Sequence, residues 1–319
     1  MFKKLLVTIL TFILSLSALF ITGCKTKTDL NIYVVDGAPL VSVSNLIESS
    51  EINGAKVNVN VVSGVDALTG AIARGDANVA VCPINVAAKL YNGGVDVKLL
   101  SVNVFGVLKI LSNEEVDIFD LKGNTVYNIG AGGTPDVTLK HLLTANGIEY
   151  TVNKETADSD KVNLKYVSSA EELIPLLKTG VAKFGVLGEP AVSKAVKVAG
   201  VKPIISLTDE WAKFYSEKYT QAGVIVSANL VKTNPKLVKA LYNELKNSKN
   251  YAITNANSLK NVLISAGSSL QIDFTVDVIN ECNLGIENAF AIKKDVENYL
   301  TIIGDKLPNN NFYIDNEKL

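Results

Sequence analysis

Leu30-Asn31-Ile32-Tyr33-Val34-Val35 is a short apolar run that breaks at Asp36-Gly37-Ala38-Pro39 and gives way to a helix-like stretch over 40–48. A strand that turns straight into a helix is the unit from which open α/β sheets are built. The unit repeats. Asparagine alternates with valine over 57–62, the period-2 pattern of a half-buried strand. Ser63-Gly64-Val65-Asp66 then opens a helix with a serine and an acid at capping spacing. Strands over 78–81 and 97–102 flank a helix over 83–91. Beyond Asp120-Leu121-Lys122-Gly123 come strands over 125–129, 162–167, 184–187 and 202–207. Helices lie between them over 135–146, from the capping box Ser169-x-x-Glu172 to Gly180, and over 191–198. The polar stretch 147–161 reads as loop or edge, 223–226 as one more strand, and helices dominate from Asn234. The pattern predicts an α/β protein of two βα lobes, with mostly parallel sheets flanking a ligand cleft and a helical C-terminal segment.

The first two dozen residues differ from the rest. Lys3 and Lys4 precede a nearly unbroken apolar run over 5–20, which ends in Phe20-Ile21-Thr22-Gly23-Cys24. That is the layout of a secretory signal peptide over 1–23, and its ending resembles the lipobox of bacterial lipoproteins. By that resemblance Cys24 is the lipidation site, carrying acyl chains such as palmitate, and 24–29 is a linker. The expected location is the extracytoplasmic face of the cell membrane, held there by the N-terminal lipid.

Composition narrows the function further. The formal charge of −1 becomes −3 once the leader's two lysines are removed. A weakly acidic chain has no electrostatic footprint for nucleic acid. Arg74 is the only arginine and His141 the only histidine, so zinc sites, Ser-His-Asp triads and Cys-His pairs would all compete for one imidazole. His141 shares a helix side with Lys140 and Thr144, away from the stripe of Leu139, Leu142 and Leu143, and reads as solvent-facing. Trp211 reads as a wedge in a connection between lobes. Cys82 and Cys282 are either a distant disulfide or two buried thiols.

Ligands of open α/β sheets bind beyond the carboxyl ends of the strands. Those ends carry Gly37-Ala38-Pro39, Ser63-Gly64, Pro83-Ile84-Asn85, Ser101-Val102-Asn103, Gly132-Gly133-Thr134-Pro135 and Gly188-Glu189-Pro190. Thr134 fits an N-cap, Pro135 the first helical position, and Asp136 the dipole. Pro135 stands where a dinucleotide fingerprint needs its third glycine, which sets nucleotide binding aside.

The order of these motifs, with Asn85-x-Ala87-Ala88, Asp209-Glu210-Trp211, Gln221-Ala222-Gly223 and Asn234-Pro235, resembles the solute-binding proteins of ABC importers. The similar subfamily takes sulfonates, taurine and thiamine-pyrimidine precursors. The resemblance implies a type II periplasmic binding fold, with lobe I from 30–107 plus 222–319 and lobe II from 108–221. It implies a monomer that binds a small molecule between the lobes and presents it to permease subunits. The expected ligand-binding residues are Gly37, Ala38, Ser63, Gly64, Asn85, Asn103, Gly133, Thr134 and Glu189. No catalytic residue, metal or cofactor is expected. The alternatives are an enzyme of the thiamine-pyrimidine synthase type, whose histidine- and cysteine-bearing site has no matching cluster here, and a tethered ligand sensor.

Overall fold

The computed structural model describes residues 28–319. The leader, Cys24 and most of the linker lie outside the described residues. Two sheets organise the chain. The 7-stranded sheet runs Leu284–Asn288, Val97–Phe105, Thr220–Ser227, Val79–Pro83, Leu30–Val35, Ala55–Val62, Glu51–Ile52. The 6-stranded sheet runs Lys202–Ser206, Leu108–Ser112, Phe184–Gly188, Thr125–Ile129, Val162–Val167, Tyr150–Val152. The α/β class with two βα lobes and a helix-rich C-terminal part is as the sequence predicts.

The sheets are mixed rather than mostly parallel, and the reason lies in how the chain changes sheet. Leu30–Val35 pairs in parallel with Ala55–Val62 and with Val79–Pro83, as strands joined by crossover helices must. The chain enters Leu108–Ser112 straight from the first sheet, and Thr220–Ser227 from the second sheet by way of the short helix Leu207–Ala212. Leu108 therefore faces Gly188, and Ala222 faces Pro83, so each of these strands begins where its neighbour ends and runs antiparallel to it. Three strands were not read from the sequence, Glu51–Ile52, Leu108–Ser112 and Leu284–Asn288, and the polar stretch after Gly147 holds the edge strand Tyr150–Val152. The first helix divides into Ala38–Val41 and Ser44–Glu48.

Buried side chains form three groups. One packs the helices Pro235–Leu245 and Ala256–Ser265 onto the first sheet through Val238, Leu241, Leu259 and Leu263. Another packs Leu173, Leu177 and Val192 onto the second sheet. The third is continuous between sheets, joining Leu99 and Ile84 to Leu139, Phe184 and Trp211. Trp211 is central to it. Its ring stacks on Tyr219 at 5.1 Å between centroids, and Tyr299 tilts against it at 5.7 Å. Cys82 and Cys282 are both buried and free, with burial pushing both thiols up in pKa.

The passage between sheets is narrow at Gly106, whose φ is +39°. A Cβ there would meet the Thr208 hydroxyl and come within 2.7 Å of the Tyr219 ring. Gly106→Ala is therefore expected to cost about 2–3 kcal/mol of stability. Gly94→Ala, at φ +91° with open space around it, is expected to cost about 1 kcal/mol. Urea titration followed by circular dichroism checks both values.

Candidate functional site

A cavity of about 490 Å³ opens between the two sheets. Strand ends and helix starts wall it. Gly37, Ala38, Ser63 and Gly64 come from the first sheet, and Gly133, Thr134, Ser169 and Glu189 from the second. Val107, Gln221 and Ala222 reach it from the strands that change sheet, and Ser269 and Leu270 from the helix-rich segment. Most of the wall is apolar, which suits a small organic molecule.

The loops around the cavity are held by carboxylates. Asp36 Oδ1 accepts from Gly37 N at 3.0 Å and Ser268 Oγ at 2.8 Å. Its Oδ2 accepts from Ser269 N at 2.7 Å and Ser269 Oγ at 3.0 Å, tying the 267–270 turn to the first strand end. Buried Asp136 accepts from the Tyr166 hydroxyl at 2.6 Å, Lys140 Nζ at 2.9 Å and Gly132 N at 2.7 Å. Burial, then this hydrogen bond to a carboxylate, pushes Tyr166 up to about 12. The glycine loop is thus fixed from below by a charged network rather than left slack.

Glu189 sits at the junction between lobes. Its carbonyl accepts from Ala38 N at 3.2 Å across the cleft. Its carboxylate is turned into the protein, accepting from Ser193 N at 3.1 Å and Ser193 Oγ at 2.8 Å. Lys109 Nζ lies 3.3 Å from the other oxygen and 2.6 Å from Glu281. Burial disfavours the Lys109 charge, but the hydrogen bonds and fields of Glu281 and Glu189 outweigh it and raise the pKa. Glu189 lines the cleft, but as a brace whose carboxylate is already occupied.

Of the nine expected ligand-binding residues, Gly37, Ala38, Ser63, Gly64, Gly133, Thr134 and Glu189 line the cavity, while Asn85 and Asn103 do not. Asn103 lies inside the strand Val97–Phe105, which continues past the expected end at Val102, and its Oδ1 accepts from Ser101 Oγ at 2.7 Å. Asn85 stands in the first turn of the helix Ile84–Asn92, fully buried, and Thr134 Oγ donates to its Oδ1 at 3.3 Å. Its role is one layer back, behind Thr134. Gly64, not Ser63, is the N-cap of Val65–Arg74, and no side chain caps it. The second capping box is half-formed. Glu172 accepts from Ser168 N at 2.8 Å, whereas Ser169 makes no cap bond and its residue lines the cavity. Gln221 and Ser269 also line it, and local sequence gave no sign of them. Gln221 Oε1 accepts from Val107 N at 3.0 Å.

His141 is not solvent-facing. It is half-buried outside the cavity, with Nε2 at 2.6 Å from the Tyr215 hydroxyl and its ring 5.9 Å from Trp211. The helix Leu207–Ala212 covers the side that the apolar stripe left open.

No family model matches the sequence, and no curated protein matches it. Solved structures do match. An ABC transporter structure from Parabacteroides distasonis is 23% identical at a TM-score of 0.73, covering 90% of this chain and 99% of that one. The periplasmic aliphatic sulphonate binding protein SsuA from Escherichia coli is 14% identical at 0.63, covering 88% and 95%. The Candida albicans CA3427 gene product, which has the generic periplasmic binding protein structural fold, is 11% identical at 0.61, covering 89% and 92%. This chain has that two-lobed fold.

Two outcomes follow from the geometry. Lys109→Met leaves the buried Glu189 with Ser193 alone and is expected to cost about 2 kcal/mol, whereas Glu281→Gln, at an exposed partner, is expected to cost under about 1 kcal/mol. Denaturant midpoints separate the two. Burial lowers the His141 pKa from its usual 6.5. The unfolded chain therefore takes up the proton first on acidification, and stability present above about pH 6.5 is lost as pH falls toward the folded value. His141→Gln is expected to show a shallower fall in Tm between about pH 7 and about pH 5 than the wild type. Scanning calorimetry across that range checks it.

Proposed function

We propose that this chain is an extracytoplasmic solute-binding protein that captures a small molecule between two lobes and delivers it to the permease of an ABC importer. The observation that carries the reading is the cavity itself, a mainly apolar space between two sheets onto which strand ends and helix starts converge. The fold shared with an ABC transporter structure and a sulphonate binding protein supports it. In this reading 30–107 with 222–319 move as one lobe and 108–221 as the other. Gly37, Ala38, Ser63, Gly64, Gly133 and Thr134 meet the solute, and Glu189 braces the closed form.

Closure trades hydration of the cleft for contacts on both sides, so the solute supplies the free energy that favours the closed state. The fields of Glu281 and Asp273 add to this, since each pairs with a lysine of the second sheet's lobe, Lys109 at 2.6 Å and Lys197 at 3.1 Å. The reading assigns no turnover. The cavity wall has serines but no histidine or cysteine among the described residues, and the carboxylate beside Ser269, Asp36, also accepts from two backbone amides and from Ser268. Acylation of Cys24 holds the monomeric protein at the membrane surface; among the described residues no helix is long and apolar enough to cross a membrane.

The test is a thermal-shift screen over small organic solutes with the wild type and with Ser169→Trp, which fills the cavity from a half-buried position. A solute that raises the wild-type Tm is expected to lose at least tenfold in affinity, about 1.4 kcal/mol, in the folded variant. It is also expected to contract the protein in small-angle scattering. Affinity unchanged by Ser169→Trp moves the binding site elsewhere and rejects the reading.

A further inference from the structure

The charge around the cleft points to the class of solute, an inference that rests on the solute-binding reading above. Four helices of nine residues or more begin at the cavity wall: Val65–Arg74, Thr134–Ala145, Ala170–Thr179 and Ala191–Ala199. Free N–H groups at helix starts attract anions. Acidic side chains stand in or beside those places, although no N-cap side chain caps any of the four. Asp136 and Glu172 stand in the first turns of their helices and accept from amides just ahead of them, Gly132 N at 2.7 Å and Ser168 N at 2.8 Å, and Glu189 accepts from the first-turn Ser193 N at 3.1 Å. Asp66 stands in the first turn of the remaining helix. Asp36 does the same for the Gly37 and Ser269 amides.

The wall repeats the sign. Its charged residues are Asp36, Glu171 and Glu189, and no lysine, arginine or histidine of the described residues joins them. The lysines beside these acids are already engaged. Lys109 is shared between Glu189 and Glu281, and Lys194 Nζ stands 4.0 Å from Glu171. An anion entering this cleft would give up its hydration for a wall of its own sign, with a carboxylate in or next to the first turn of each of these four helices to offset its dipole. A cation meets the opposite case. Glu171 keeps a partly exposed carboxylate, and Ser63 and Ser169 add hydroxyls beside the apolar remainder of the wall.

We propose that the cleft binds a small organic amine in its protonated form, with an apolar body, and rejects sulfonates and carboxylates. Glu171 is the counter-charge. Three probes of similar size test this by calorimetry on the full chain in phosphatidylcholine nanodiscs, with empty discs subtracted: benzylammonium, benzamide and benzenesulfonate. Benzylammonium is expected to bind at least tenfold more tightly than benzenesulfonate, with benzamide between them. Glu171→Lys is expected to narrow that gap at least tenfold. Benzenesulfonate binding as tightly as benzylammonium, no saturable binding of any probe, or a gap unchanged in Glu171→Lys overturns the assignment. Ser169→Trp separates the two levels of the argument. If it abolishes binding while benzenesulfonate wins, the cleft stands and only the charge assignment falls; if a bound probe keeps its affinity there, both fall.

Discussion

The backbone passes between the sheets at two adjacent places, Phe105 to Leu108 and Ser206 to Thr220, and the hydrogen bond from Val107 N to Gln221 Oε1 ties them together. Because the crossings lie side by side, Thr220 pairs opposite Phe105 and the first sheet closes around both. Everything else depends on that pairing. It sets Thr220–Ser227 antiparallel to both of its neighbours and brings strand ends of both sheets to one cavity. Gly106 sits in this passage with Thr208 and Tyr219 where a Cβ would go, so the passage has no room for a side chain there.

Around the cavity, charge is used for shape. Asp36, Asp136, Glu172 and Glu189 each accept from a backbone amide at a strand end, a loop or a helix start. Charge-assisted hydrogen bonds of this kind are stronger than neutral ones, and they fix loops that would otherwise pay conformational entropy on binding. The same carboxylates place negative charge in or beside the first turns of the helices that begin at the wall. The rigidity of these loops and the negative sign of the cavity wall therefore come from one set of side chains.

How much of this was legible in the sequence follows from the range of the interactions. Leu30–Val35, Thr125–Ile129 and Val162–Val167 were readable to the residue because their apolar runs end in turn residues. Leu284–Asn288 was not. It lies among helices, is polar at its end, and becomes a strand by pairing with Val97–Phe105 far back in the chain. The site divides the same way. Gly37, Ser63, Gly133 and Thr134 mark switches from strand to helix, which local pattern shows. Gln221, Ser269 and Leu270 arrive by the folding of distant segments, and nothing beside them in sequence announces it. Asn85 and Asn103 misled because strand ends were placed a few residues early, and an asparagine at a strand end looks the same as one buried within the element.

The aromatic junction has a spectroscopic consequence. Trp211 is the only indole in the chain, and it lies in the shared core rather than on the cavity wall. Tyr215, Tyr219 and Tyr299 stand within 6 Å of it, at 4.7, 5.1 and 5.7 Å between centroids. Excitation absorbed by these phenols funnels to one emitter. Light leaving the protein at long wavelength thus originates at the seam between halves, away from the cavity wall. A change in that emission therefore reports on the packing at the seam rather than on the cavity wall, and needs no attached dye.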